Sequence, residues 1–178
     1  MAVMEPTRLA RPEPAEYGSK VYENITESSV WVAELKMDGW RIMAKCGDFV
    51  ELWTRHGRRL EDAPREIRTA LAKLPEGAVI DGELVRGQYF DRMYVWDVLH
   101  DGEKDLRGRP YSERIMRLGE IVGREVAPYV LTVERAVTAK DKRMMWKCRE
   151  VRGGEGVVYK RLADAYPPDG GAVWLKVK

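Results

Sequence analysis

A strand gives way to a turn at Glu34-Leu35-Lys36-Met37-Asp38-Gly39-Trp40-Arg41, and the rest of the chain can be arranged around this stretch. Alternation of side chains over residues 30–35 predicts a strand with Glu34 and Lys36 on the same face. A lysine amine acts as a covalent nucleophile where its neighbours lower its proton affinity or bring an electrophile close. The stretch therefore suggests lysine-centred chemistry, although Lys36-x-Asp38-Gly39 alone is equally typical of a solvated strand end.

Composition indicates an ordinary globular protein. The chain has 178 residues, of which 44% are hydrophobic and 34% charged, with a formal net charge of +2, so we expect one compact domain. Binding to nucleic acid would need a local basic patch, because the net charge is small. Cys46 and Cys148 lack the spacing of a disulfide framework or a zinc site. Without a long apolar run, we expect a soluble, cytoplasmic protein with no membrane partner.

The remaining pattern predicts short strands interrupted by three helices. Strands are predicted at 42–45, 49–54, 78–85, 93–99, 129–134, 156–160 and 172–178, and helices at 62–74, 112–122 and 138–151. A hairpin at 46–48 suggests that the first strands form an antiparallel meander, and Ser112 is predicted to cap the second helix. Few connections suit parallel crossovers, so we predict an α+β fold of packed antiparallel sheets flanked by helices.

The domain organisation predicted from these patterns has two parts. Residues 1–29 begin with several prolines, which favour an extended and loosely held N-terminal arm. Residues 30–178 are predicted to form the domain itself, with a turn rich in proline and glycine at 167–171 before the last strand.

Five later stretches follow residues 34–41 in a definite order. They are Thr54-Arg55-His56-Gly57, Asp81-Gly82-Glu83, Tyr94-Val95-Trp96-Asp97, Glu155-Gly156-Val157-Val158-Tyr159-Lys160 and Trp174-Leu175-Lys176-Val177-Lys178. This series resembles the nucleotidyltransferase motifs of ATP-dependent DNA ligases, in a superfamily that also holds RNA ligases and mRNA capping enzymes. The resemblance covers residues 31–178, and residues 6–10 resemble the segment that often precedes this domain.

The resemblance implies a ligase-type, ATP-grasp-like nucleotidyltransferase domain and a reaction in three steps. Lys36 would attack the α-phosphate of ATP and become covalently bound to AMP. The AMP would then pass to the 5′-phosphate of nicked double-stranded DNA, and the 3′-hydroxyl would displace it, as in DNA replication, repair and recombination. Phosphoryl transfer depends on positioning and charge neutralisation, so carboxylates are expected to hold Mg²⁺ while cations surround the phosphates.

The same resemblance assigns a role to each motif. The residues expected to bind the nucleotide are Glu34 through its backbone, Arg41, Arg55, Glu83, Trp96, Lys176 and Lys178. Trp96 would stack on adenine, Glu155 and Glu83 would hold Mg²⁺, and Arg41 and Arg55 would also reach the nick phosphate. Outside the motif order, Trp96 would be taken for a core aromatic residue and the two final lysines for surface charges.

Two features leave alternatives open. Strand alternation places Lys160 on the opposite face from Glu155, so a solvated lysine is as probable there as a phosphate ligand. Ligases of this type usually continue into an OB-fold domain, whereas this chain stops at Lys178. We therefore expect no OB-fold domain here and weak self-adenylation. Three alternatives stay open: an excised domain, a naturally minimal protein, or an OB-fold domain or partner chain supplied in trans. The rival functions are an RNA ligase, a binding module without turnover and, less well supported, a capping guanylyltransferase.

Overall fold

The computed structural model describes residues 12–123, 126–167 and 174–178. Within them the chain forms ten strands and four helices. In chain order these are β1 (Glu13–Pro14), α1 (Lys20–Glu27), β2 (Trp31–Met37), β3 (Trp40–Lys45), β4 (Glu51–Thr54), α2 (Arg65–Leu71), β5 (Ala78–Val85), β6 (Arg92–Asp101), α3 (Tyr111–Ile121), β7 (Val130–Thr132), β8 (Arg135–Ala136), α4 (Ala139–Cys148), β9 (Gly154–Arg161) and β10 (Trp174–Val177). None of the helices in these ranges is long and apolar enough to span a bilayer.

The strands form two five-stranded sheets. The first sheet has the order β1-β10-β9-β2-β8 and the second has the order β4-β3-β5-β6-β7. Neighbouring strands are antiparallel except at one edge of each sheet, where β1 pairs with β10 and β7 pairs with β6 in parallel. The predicted α+β class is therefore confirmed, and each mainly antiparallel sheet has one parallel edge strand.

Three clusters of apolar side chains pack the helices against the outer faces of the sheets and the two sheets against each other. On the outer face of the first sheet, α1 and α4 bury Tyr22, Ile25, Met145 and Trp146 against strand residues such as Tyr159. On the outer face of the second sheet, α2 and α3 cover a larger cluster that includes Ile67, Leu71, Ile80, Val95 and Leu118. A small cluster that contains Met43, Leu99 and Trp174 joins the inner faces of the sheets. Polar groups next to this inner cluster can therefore face a space between two walls.

The turn at Gly39 carries the chain from one sheet to the other. β2 pairs with β8 and β9, whereas β3 pairs with β4 and β5. The predicted meander is therefore wrong at its first step, although the β3–β4 hairpin is confirmed. A Cβ atom on Gly39 would lie 2.3 Å from the carbonyl oxygen of Leu84, so the crossing requires glycine at this position.

The helix boundaries depend on local capping. Thr138 caps α4 as predicted, because its Oγ accepts a hydrogen bond from the backbone N–H of Asp141 at 3.2 Å. The prediction that Ser112 caps α3 is wrong, since that helix begins after Pro110 and includes Ser112. Proline suits this position because its fixed φ angle is compatible with a helix start.

The segment before β2 is better ordered than its sequence suggests. Ser19 caps α1 by accepting a hydrogen bond from the N–H of Tyr22, and Tyr22 and Ile25 are buried against the first sheet. A loose arm is therefore not what the structure shows for residues 12–29. Residues 6–10 and most of the predicted turn at 167–171 lie outside the described residues.

Candidate active site

A cleft of about 840 Å³ opens between the inner faces of the two sheets. Its volume is in the range usual for small-molecule sites. All nine site residues predicted from the sequence line this cleft: Glu34, Lys36, Arg41, Arg55, Glu83, Trp96, Glu155, Lys176 and Lys178. The motifs are up to 144 residues apart in the chain, between Glu34 and Lys178, and the fold brings them to one place. Their individual roles remain predictions.

Lys36 lies at the end of β2 in contact with a carboxylate. Its Nζ contacts Oε1 of Glu155, and Nζ of Lys178 lies 2.5 Å from Oε2 of the same group. Burial acts to raise the pKa of Glu155, but the hydrogen bonds from Lys178 and Lys36 outweigh it and lower that pKa. One carboxylate thus binds the amines of two lysines while all three side chains stay partly exposed.

A β-bulge directs Glu155 into the cleft. Along β2 and β9, Lys36 pairs with Gly156 and Met37 with Gly154, so Glu155 is the extra residue between them. The bulge places Glu155 in the cleft with Lys160, and the predicted placement on opposite faces is wrong. Gly156 is needed beside it, because a Cβ atom there would lie 2.3 Å from the carbonyl oxygen of Val177 in β10.

Glu83 faces Lys36 from the second sheet and has a strongly shifted proton affinity. Burial raises its pKa to about 7, and the nearby charges of Lys36 and Arg41 oppose that rise without cancelling it. Asp81 and Glu155 add negative charge and raise the pKa further. The carboxyl group therefore titrates near neutral pH, as is common for acids in functional sites.

Glu34 lies two residues before Lys36 and is buried in a polar network. Its carboxylate is 2.6 Å from Nζ of Lys160 and accepts a hydrogen bond of 2.8 Å from Nε of Arg135. Burial acts to raise the pKa of Glu34, but the charges of Lys160 and Arg135 prevail and lower it. The Tyr111 hydroxyl contacts the same carboxylate and lies 2.8 Å from the carbonyl oxygen of Trp96. The side chain of Glu34 thus joins both sheets, a role that was not predicted for it.

Arg41 and the aromatic rings form the floor of the cleft. The guanidinium of Arg41 donates to Asp81 through Nε at 3.0 Å and Nη2 at 2.5 Å, and its Cζ lies 5.4 Å from the Trp96 ring and 5.5 Å from the Trp174 ring. Trp174 is almost fully buried, whereas Trp96 is partly open to the cleft. Asp81 is therefore a structural partner of Arg41.

The cations nearer the opening are more exposed. Arg55 follows β4, and its Nε donates a hydrogen bond of 2.9 Å to Nε2 of His56. Lys176 shares the inner face of β10 with Trp174, since alternate residues of a strand lie on the same face. With Lys36 and Lys178, these side chains give the cleft the positive charge that a polyphosphate requires.

The donor set of the cleft fits a magnesium ion. Mg²⁺ prefers oxygen ligands and is commonly held by one or two carboxylates together with substrate phosphates. Glu83 and Glu155 supply two such carboxylates from opposite sheets. Within residues 12–123, 126–167 and 174–178 there is no cluster of three or more His, Cys, Asp or Glu residues suited to a metal. An ion bound here would therefore depend on oxygens from its substrate.

Tyr111 and Arg135 contribute to the site without having been predicted to do so. Lys160, which was left open between a solvated lysine and a phosphate ligand, is buried, so the solvated alternative is wrong. Nζ of Lys160 lies 4.2 Å from the Trp174 ring centroid and 4.7 Å from that of Tyr111. The isolated acid at Glu34, within an otherwise apolar strand, was the one signal that buried cations must lie near it.

Sequence comparison relates the chain to bacterial DNA ligases. Over 171 residues it is 33% identical to the multifunctional non-homologous end joining protein LigD of Pseudomonas aeruginosa, covering 83% of this chain and 20% of that protein. Over 201 residues it is 29% identical to a probable DNA ligase of Sorangium cellulosum, covering 96% of this chain and 37% of the other. The chain thus spans well under half the length of these relatives. No protein-family profile matches it.

Comparison with solved structures also finds DNA ligases. The chain superimposes on a mycobacterial DNA ligase D in complex with ATP and MES with a TM-score of 0.70 and 23% sequence identity. The match covers 97% of this chain and 59% of that one. At this level of identity the similarity establishes the fold.

Proposed function

We propose that this chain, which belongs to the nucleotidyltransferase-domain family of ATP-dependent DNA ligases, transfers AMP from ATP to Lys36 and then to the 5′-phosphate of a DNA nick. The observation that carries the proposal is the contact of Lys36 with Glu155 and Lys178 inside a cation-lined cleft. The mycobacterial ligase of the same fold is described with ATP bound. A nucleoside triphosphate fits both the charge and the volume of the cleft.

The first step forms a bond between Nζ of Lys36 and the α-phosphorus of ATP. The bond from that phosphorus to the oxygen that bridges the α- and β-phosphates breaks, and pyrophosphate leaves with the electron pair. Glu155 contacts Nζ, so it is placed to take the proton that the amine must lose. Lys176 and Lys178 lie where they can neutralise the phosphate oxygens, which is the main requirement of phosphoryl transfer.

Glu83 and Glu155 would hold Mg²⁺ in this site. The ion would supply charge neutralisation at the phosphates when bound.

In the later steps AMP moves from Lys36 to the 5′-phosphate of the nick, and the 3′-hydroxyl then displaces AMP to seal the strand. Arg55 is exposed at the opening and fits a contact with the nick phosphate, whereas Arg41 already pairs with Asp81. Trp96 presents an aromatic face for adenine.

Nicked double-stranded DNA is the proposed substrate, since the relatives are named DNA ligases and none of those compared is named an RNA ligase.

The relatives extend well beyond the matched region. We therefore also propose that an OB-fold domain, or a partner chain that carries one, accelerates adenylation when supplied in trans. We also propose that the protein acts in the cytoplasm.

The test is intact mass after incubation with ATP and magnesium, on the wild-type chain and on two lysine variants. We expect an added AMP mass in the wild type, its loss in Lys36→Ala, and its retention in Lys104→Ala, which alters an exposed lysine outside the cleft. An adduct that persists in Lys36→Ala would contradict the assigned nucleophile. A wild-type protein without adduct, even with an OB-fold domain added, would contradict the proposed function.

A further inference from the structure

Trp40 is exposed at the edge of the cleft. The chain has six tryptophans, all within the described residues, and Trp40 alone among them is classed as exposed, with 57% of its surface accessible. It begins β3 directly after the Gly39 crossing and contributes to the cleft lining, while its side chain alternates with that of Arg41. Single exposed aromatic residues are common on protein surfaces, and Trp40 differs from the exposed Phe49 and Tyr89 in that it lines the cleft.

Arg86 lies beside this ring. Its Cζ is 5.5 Å from the centroid of Trp40, and 74% of its side chain is accessible. Its Nε forms an ion pair with Oδ2 of Asp91 at 3.8 Å, a separation too long for a hydrogen bond. The guanidinium lies over the Trp40 ring and is mostly accessible, so its N–H groups can be reached by a phosphate.

Trp40 lines the cleft and Arg86 contacts its ring, so a duplex laid over the cleft opening would pass this pair, a step that rests on the proposed function. The 5′-phosphate has to reach AMP on Lys36, so the DNA on either side of the nick has to lie over the cleft opening. Trp40 is four residues beyond Lys36, and Arg86 is three residues beyond Glu83. Aromatic rings bind the faces of bases and sugars, and arginine binds backbone phosphates.

We propose that Trp40 and Arg86 form a duplex-DNA contact at the opening of the cleft. The Trp40 ring packs against a sugar beside the nick, and Arg86 binds a backbone phosphate of the same strand. The contact acts on DNA binding and takes no part in the attack of Lys36 on ATP. The chemistry of the pair suits a nucleic acid, since it combines an apolar face with a cation.

The test measures the affinity of the full chain for a labelled nicked duplex at several salt concentrations. We expect Trp40→Ala to weaken binding by about fivefold to a hundredfold, the range for loss of one aromatic contact, and Trp40→Phe to recover much of it. Arg86→Ala should reduce the slope of log affinity against log salt by about 1, as for one lost phosphate contact. Phe49→Ala, at a more exposed ring on the β3–β4 hairpin that does not line the cleft, is the control and should bind as the wild type does.

The result of this DNA-binding test can be distinguished from the result of the AMP-adduct test of the proposed function. All of these variants should form the AMP adduct as the wild type does, and melting temperatures should match within a few degrees. Unchanged affinity in both Trp40→Ala and Arg86→Ala, an equal loss in Phe49→Ala, or no binding by the wild type would overturn this inference. An adduct-free wild type would instead count against the proposed function.

Discussion

Two lysine–glutamate pairs join the same two strands, β2 and β9, and their surroundings differ sharply. In the inner pair, Glu34 and Lys160 are 2.6 Å apart, and their side chains are only 3% and 2% exposed. In the outer pair, Lys36 and Glu155 keep 22% and 27% of their side chains exposed. The pairs begin two residues apart on one face of β2. Chemically similar pairs thus occupy a sealed environment and an open one.

The difference teaches that an ion pair must be partly open to serve as a reactive site. Removing one partner from a buried pair leaves an uncompensated charge and costs about 3–5 kcal/mol, whereas exposed pairs contribute about 0.2–1 kcal/mol. The Glu34 pair therefore has a structural role within the first sheet, and Tyr111 and Arg135 connect it to the carbonyl oxygen of Trp96 in the second sheet. Under the proposed function, the Lys36 pair would exchange its partners for phosphate and a metal ion at little cost to the fold.

The largest expected effect comes from breaking the inner pair. Glu34→Leu leaves Lys160 and Arg135 buried without their carboxylate, and we expect the free energy of unfolding to fall by about 3–5 kcal/mol. Urea unfolding followed by circular dichroism measures this change. Since the lowered pKa of Glu34 stabilises the fold only above the unfolded value, the difference should shrink as the pH falls below about 4.5. A loss under 1 kcal/mol at pH 7 would mean that the pair has no structural role.

An intermediate effect is expected at Glu83, which faces the outer pair. Its pKa rises from 4.5 to about 7 on folding, so the folded chain binds more protons than the unfolded chain between these values. Stability should therefore fall as the pH rises through this window. Glu83→Gln should be more stable than the wild type at pH 8, by on the order of 1–3 kcal/mol, with the gap closing near pH 5.

Thermal unfolding at several pH values tests this prediction, and a pH-independent difference would contradict it. Because Mg²⁺ needs the ionised carboxylate, the rate of adenylation in the wild type should rise between about pH 6 and pH 8. Asp38→Asn, which alters an exposed acid at the same cleft, is a matched control for the stability measurement.

The smallest effect on stability is expected at the outer pair itself. Glu155→Gln removes the carboxylate that contacts Lys36 and Lys178, and we expect a change in unfolding free energy of at most about 1 kcal/mol. Formation of the AMP adduct should nevertheless fall at least a hundredfold, because the metal ligand and the proton acceptor are lost together. A variant that loses both stability and activity would place Glu155 in the same class as Glu34.

Much of this arrangement could be predicted from the sequence. Strand alternation correctly placed Glu34 and Lys36 on one face. The order of the motifs predicted that distant stretches would meet, and they do. Local signals of this kind work because each strand has a period of two residues, whatever its partners are.

Other features depend on tertiary contacts that local patterns do not encode. The bulge at Glu155 arises from how β9 pairs with β2, and it reverses the face on which simple alternation puts that residue. The crossing at Gly39 is set by the close approach of Leu84 from another strand. The burial of Lys160 follows from Glu34, an acid more than a hundred residues away in the chain. The capped helix α1 did have a signal, since Ser19 is followed by Tyr22 and Ile25 at helical spacing.

The central claim is that the open pair contains the nucleophile, and locating the bound AMP tests it most directly. After reaction with ATP and magnesium, trypsin digestion and mass spectrometry would identify the modified lysine. Modification of Lys36 blocks cleavage after it, so AMP should appear on fragment 21–41 in place of fragment 21–36. AMP on Lys160, Lys176 or Lys178 would contradict the account, because the reactive lysine would then belong to another part of the cleft.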